Sequence, residues 1–165
     1  MPGKYLGIYL NDHLAVLAGA EEVVDRSMQS NSGTPLGELL QQVFASLKED
    51  RRALEALMKE RDVTQNRAKT SAAWVAERVG RLKLNGELTG YSPLSRLVEI
   101  EGIGLALEAK RAFWSTLSEV GISEAGGRST GELATQSEGQ IEELENHRRA
   151  AAKEALGTYA PASRK

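Results

Sequence analysis

An all-α bundle of four long helices, with one long middle connection carrying a short extra helix, is the fold the sequence predicts. Three observations predict it. Apolar residues recur at alternating spacings of three and four in four separate stretches, the pattern of one helix face. Cap and breaker residues stand between those stretches. No segment sustains the strict alternation of a strand. Helices of roughly seven turns can bury such stripes only against one another.

The first helix is expected from Tyr5 to about Gln29, with Leu6, Leu10, His13, Leu17, Ala20 and Val24 on one face. Asn31-Ser32-Gly33 breaks it. Thr34 suits an N-cap, and Pro35 suits the first helical position, where its missing N–H costs nothing. The second helix then runs to about Arg61, its face reading Leu36, Leu40, Val43, Leu47, Asp50, Leu54 and Leu57. A shorter helix is expected over about Gln65 to Leu82, with Trp74 as its large side chain. Asn85-Gly86 and Gly90 follow as turn residues.

Ser92 and Pro93 open the next long helix as cap and first-turn proline, and it runs to about Val120. Leu94, Val98, Glu101, Leu105, Ala109, Phe113, Leu117 and Val120 lie along one side. Gly102 and Gly104 each cost about 1 kcal/mol against alanine in mid-helix and permit a close helix approach. Gly121 to Arg128 reads as a glycine-bearing loop. Ser129 with Glu132 forms a capping-box pattern for the last helix, Thr130 to about Leu156, which Gly157 ends.

The connections decide the topology. The turn near Gly33 makes the first two helices antiparallel neighbours, and the Gly121–Arg128 loop does the same for the last two. The stretch 62–92 is long. One long crossover between two antiparallel hairpins is the ferritin-like topology, and a simple up-down bundle with an extra helix is the alternative.

Composition narrows the function classes. The chain has 165 residues, so a single domain over 1–165 is expected, with a core from about 5 to 156 and flexible ends at 1–4 and 158–165. Hydrophobic residues make up 41%, enough for a core of that size. With 21 basic and 23 acidic residues the net charge is −2, so affinity for nucleic acid through phosphate neutralisation is not expected. There is no cysteine, which excludes disulfides, thiol nucleophiles and thiolate metal sites. The weakly charged stretch Tyr5–Ala20 is interrupted by Asn11, Asp12 and His13, and falls short of a membrane helix. A cytoplasmic protein with no membrane partner is expected.

The informative residues are the polar ones inside the stripes. His13 sits in the first stripe and Asp50 in the second. An antiparallel pair turning near residue 32 brings them to about the same height. Glu101 and His147 match in the same way across the second hairpin, and Glu108 and Glu142 form a further candidate pair. Imidazole and carboxylate together suit Fe, Mn or Zn. A di-metal ferritin-like centre needs Glu-x-x-His on two helices. No such motif occurs: Arg52 follows Glu49 at that spacing, and Leu144 precedes His147. What is left is a mononuclear Fe or Mn site from His13, Asp50, Glu101 and His147. The plainer alternative is that each His and carboxylate satisfy one another as buried partners.

Other signals are weaker. Gly127-Arg-Ser129-Thr-Gly131 has the spacing of a nucleophile elbow, but it lies where a loop enters a helix, and Ser129 serves as a cap. Gly102-Ile-Gly104 has Leu107 in place of a third glycine and sits within a helix, so no dinucleotide site is expected. Arg78, Arg81 and Lys83 complement a helix C-terminus. Trp74, Tyr91, Phe113 and Trp114 are candidates to line a pocket, or to anchor the core.

Three runs carry a family resemblance: Tyr9-Leu-Asn-Asp-His-Leu-Ala15, Gly80-Arg-Leu-Lys-Leu-Asn-Gly86 and Gly90-Tyr-Ser-Pro-Leu-Ser95. The chain resembles a group of small bacterial ferritin-like proteins that lack the di-iron Glu-x-x-His motifs. The resemblance spans about residues 5 to 156 and implies the bundle fold, but brings no activity with it. The leading expectation is therefore a non-enzymatic binding or interaction protein, with a second copy or another protein as partner and no cofactor. The alternatives are a degenerate ferritin-like metalloprotein and a carrier of a small apolar ligand.

Overall fold

The computed structural model describes residues 2–66 and 91–157. Four long helices make up almost all of it: α1 (Pro2–Ser30), α2 (Pro35–Glu60), α3 (Pro93–Glu119) and α4 (Thr130–Leu156). Helix α1 begins earlier than expected, with Pro2 in the first turn, so residues 2–4 are helical. The other three begin at the predicted caps. The Thr34 hydroxyl accepts from Gly37 N, Ser92 from Ser95 N and Ser129 from Glu132 N. Most of the short helix expected over 65–82, with Trp74 and the Arg78/Arg81/Lys83 cluster, lies outside the described residues. So does the tail 158–165. Gln65 and Asn66 are not helical.

Helices α2 and α3 stop in the same way. Val63 N bonds to Met58 O and Ile122 N to Leu117 O, each closing over a residue with positive φ. Gly121 fills that position after α3, and Asp62 fills it after α2. Each motif folds the next apolar residue, Ile122 or Val63, back onto the core.

The expected loop at 121–128 contains a strand pair. β1 (Glu124–Ala125) and β2 (Arg128–Ser129) form a minimal antiparallel hairpin. Gly126 and Gly127 both have positive φ, the geometry of a two-residue turn that only glycine adopts without strain. Two residues per strand are too few for alternation to register in a sequence. The tip is seated on α2: a Cβ on Gly126 would stand 3.1 Å from Ala53 Cα.

The packing order follows from side-chain contacts. α1 lies against α2 and α3, and α4 lies against α3 and α2. Arg26 near the end of α1 meets Glu99 near the start of α3, while His13 meets Phe113 near its end. α1 and α3 are thus antiparallel, and α2 and α3 run in the same sense. Asn31 ties the two ends together at one pole: its side-chain amide donates to Ser27 O at 2.7 Å and to the Tyr91 hydroxyl at 2.8 Å. At the other pole Asn11 donates to Thr64 O and accepts from Asn66 N. No helix among the described residues is long and apolar enough to cross a membrane.

Helix α3 is rotated from the expected orientation. Ile100, Ile103, Leu107, Lys110, Trp114 and Leu117 face inward, whereas Leu105 and Val120 are 64% and 65% exposed. Both stripes have helical spacing, so periodicity alone could not choose between them. Burial of the larger apolar area wins, at roughly 25 cal/mol per Å².

Candidate functional site

The polar centre of the bundle is a buried ion pair. Asp50 lies among the apolar residues of α2, as its spacing predicted. Its partner is Lys110 of α3 rather than His13: Nζ to Oδ2 is 2.7 Å, and both side chains are fully buried. An ammonium has three donors, and all three are used, on Asp50 Oδ2, on Ser46 Oγ at 3.2 Å and on Gln140 Oε1 at 2.9 Å. Ser46 in turn donates to Asp50 at 3.3 Å. Three helices, α2, α3 and α4, are joined in this way. Arg128 of β2 leans over the second carboxylate oxygen, 4.0 Å from Oδ1, while holding Glu49 and Gln136. Burial pushes the Asp50 carboxyl up and the Lys110 ammonium down from their ordinary values. The charge of each partner opposes that push on the other.

Lys110 was missed because a lysine was not sought in a stripe. The signal was present: residues 100, 103, 107, 110, 114 and 117 repeat at spacings of three and four, and Lys110 stands inside that run.

His13 lies half-buried in the α1–α3 seam. Its ring stacks on Phe113, centroids 4.4 Å apart, and meets Tyr9 edge-on at 4.6 Å. Burial lowers its pKa, and the Asp12 charge raises it less. The unfolded imidazole titrates near ~6.5, so the unfolded chain takes up the proton first. Stability is therefore expected to be full above that pH and to fall as the pH drops through it. Urea midpoints at neutral and mildly acidic pH should differ more for wild type than for His13→Phe. Equal differences would refute the linkage.

Glu101 and His147 do not form the expected inward pair. Glu101 is exposed on α3, 3.9 Å from Arg148, because α3 is rotated. His147 is half-buried on α4. Glu108 and Glu142 are also exposed, and Glu108 forks onto Arg111. Among the described residues no three His, Asp or Glu side chains come close enough together to hold a metal ion. Phe113 and Trp114 are core residues, and Tyr91 is committed to Asn31. An open groove of about 360 Å³ lies at the pole near the start of α1, lined by Lys4, Ile8, Asn11 and Val63 among others.

Comparison with protein-family models, with curated proteins and with solved structures finds no match to this chain.

Proposed function

We propose that this chain is a non-enzymatic binding or interaction protein on a ferritin-like bundle, with the outer face of α3 as its contact surface. The observation that carries the reading is Leu105, 64% exposed at the middle of a helix whose opposite side fills the core. A single exposed leucine is ordinary. Here Val120 is exposed on the same side, with half-buried Leu94, Val98 and Ala109 along it, and apolar residues gathered on one outward helix face suit a contact surface. The interior speaks for the same reading, since the Lys110 ammonium already supplies the positive charge that Asp50 would otherwise take from a bound cation. The ferritin-like topology is supported by the shared sense of α2 and α3, which asks the connection between them to travel the length of the bundle.

The test is a photo-crosslinking residue at position 105 in the native host, with the same residue at exposed Lys48 as control. Specific protein adducts at 105 alone are expected. A metal reading would replace this one if purified protein kept near-stoichiometric Fe or Mn and lost it in the His13→Ala, His147→Ala double variant.

A further inference from the structure

We infer that Arg128 is a two-position latch on the buried carboxylate of Asp50. It rests on surface partners while Lys110 is charged, and moves onto the free carboxylate oxygen when the charge at position 110 is withdrawn. The latch belongs to the inner side of the bundle and does not depend on the contact surface proposed above.

Asp50 uses only one of its two oxygens. Lys110 and Ser46 both donate to Oδ2. Oδ1 is buried and has no hydrogen-bond partner among the described residues. A bare buried carboxylate oxygen is costly. The Arg128 guanidinium stands 4.0 Å from it, about 1 Å beyond the range of a charge-assisted hydrogen bond. Its outer contacts are weak. Glu49 is 3.5 Å away and more than half exposed, and the bond to Gln136 is 3.2 Å long. Exposed pairs of this kind hold a side chain loosely.

The guanidinium can move while the backbone stays in place. Gly126, two residues before Arg128, is packed on Ala53, less than one helical turn along α2 from Asp50. The hairpin is therefore fixed beside the carboxylate, and only the arginine side chain has to shift. A guanidinium also suits the task. Its fork matches a carboxylate, and it stays charged at pH values where a buried lysine is neutral.

Lys110 is the trigger, because two cations compete for one carboxylate. Burial lowers the Lys110 pKa, the Asp50 charge raises it, and the Arg128 charge lowers it again. Among the described residues, Asp50 of α2 and Arg128 of β2 are the charged groups that act on the ammonium. Ser46 of α2 and Gln140 of α4 face it as neutral acceptors. In alkaline solution the ammonium gives its proton to hydroxide, and its repulsion of Arg128 ends. Arg128 then becomes the cation of Asp50. The hairpin is tied to α2 by a buried ion pair in place of a surface contact.

Lys110→Met holds position 110 without charge. It is compared with Arg128→Gln and with the double variant, in the full chain, by urea denaturation. Arg128→Gln alone is expected to change the unfolding equilibrium constant less than about 5-fold, as for an exposed pair. In the Lys110→Met background its effect should be at least about 10-fold larger, as for a buried one. In crystals of Lys110→Met, Arg128 should lie within hydrogen-bond distance of Oδ1 and away from Glu49. In the unaltered protein, the Arg128 side-chain NMR signal should move in step with the alkaline titration of Lys110. Equal effects of Arg128→Gln in both backgrounds would overturn the latch. So would an Arg128 still about 4 Å from Oδ1 in the Lys110→Met crystal, or an Arg128 signal that stays in place while Lys110 loses its proton. A Lys110→Met chain that cannot fold with Arg128 intact would overturn it too, since the second cation would have failed to serve.

Discussion

Lys110→Met is expected to destabilise the protein by about 3–5 kcal/mol, the range for removing one partner of a buried pair. The methionine fills most of the lysine's volume, so little of the loss comes from a cavity. It comes from Asp50, whose carboxylate stays buried with no cation nearer, among the described residues, than Arg128 at 4.0 Å. The double variant Asp50→Leu, Lys110→Met should recover most of the loss, because no charge then remains to be desolvated. Ser46 can turn its hydroxyl to the backbone carbonyl one turn earlier. Chemical denaturation of the two single variants and the double variant closes the cycle. Single variants that each cost under about 1 kcal/mol would mean that water or Arg128 already screens the pair.

The second large effect is expected at Gly37. A Cβ there would run into the Asn31 carbonyl oxygen. That oxygen also accepts from Thr34 N at 3.2 Å and from the Thr34 hydroxyl at 2.7 Å. Gly37→Ala therefore cannot be absorbed by a side chain moving aside. The α1–α2 turn has to open, and the Thr34 cap on Gly37 N and the Asn31–Tyr91 bond are strained with it. The expected cost is about 1–3 kcal/mol for overpacking, plus about 1 kcal/mol if the cap is lost. Gly139→Ala is the contrasting case. It is also a helical glycine, but its Cβ would meet nothing within 4 Å among the described residues, so it should stabilise the protein by up to about 1 kcal/mol. The same substitution is thus expected to have opposite signs at two helical sites, and thermal midpoints of the two variants decide it.

Neither effect follows from local pattern. Gly37 reads in the sequence as an unremarkable residue of a first helical turn. Its role comes from the turn folding back over it. Asp50 was legible as a polar residue within an apolar stripe, but its partner was assigned to the wrong helix. Pairing across the nearer hairpin favoured His13, whereas α3 brings Lys110 to the same level from the other hairpin. Glu101 was misplaced for the same reason as Leu105. The apolar residues of α3 occupy nearly its whole circumference, so two stripes compete.

The sequence by itself determined the four long helices, three of their starting caps, the break after Ser30 and the end of α4 near Gly157. These are local matters of spacing, capping and backbone freedom, settled within a few residues. The tertiary structure alone decided which side of α3 is buried, which charge neutralises Asp50, and that the 121–128 segment folds as a hairpin seated on α2. Those outcomes depend on what a neighbouring helix presents at a given height. Desolvation makes a buried charge take whatever opposite charge is nearest in space, however far it stands along the chain.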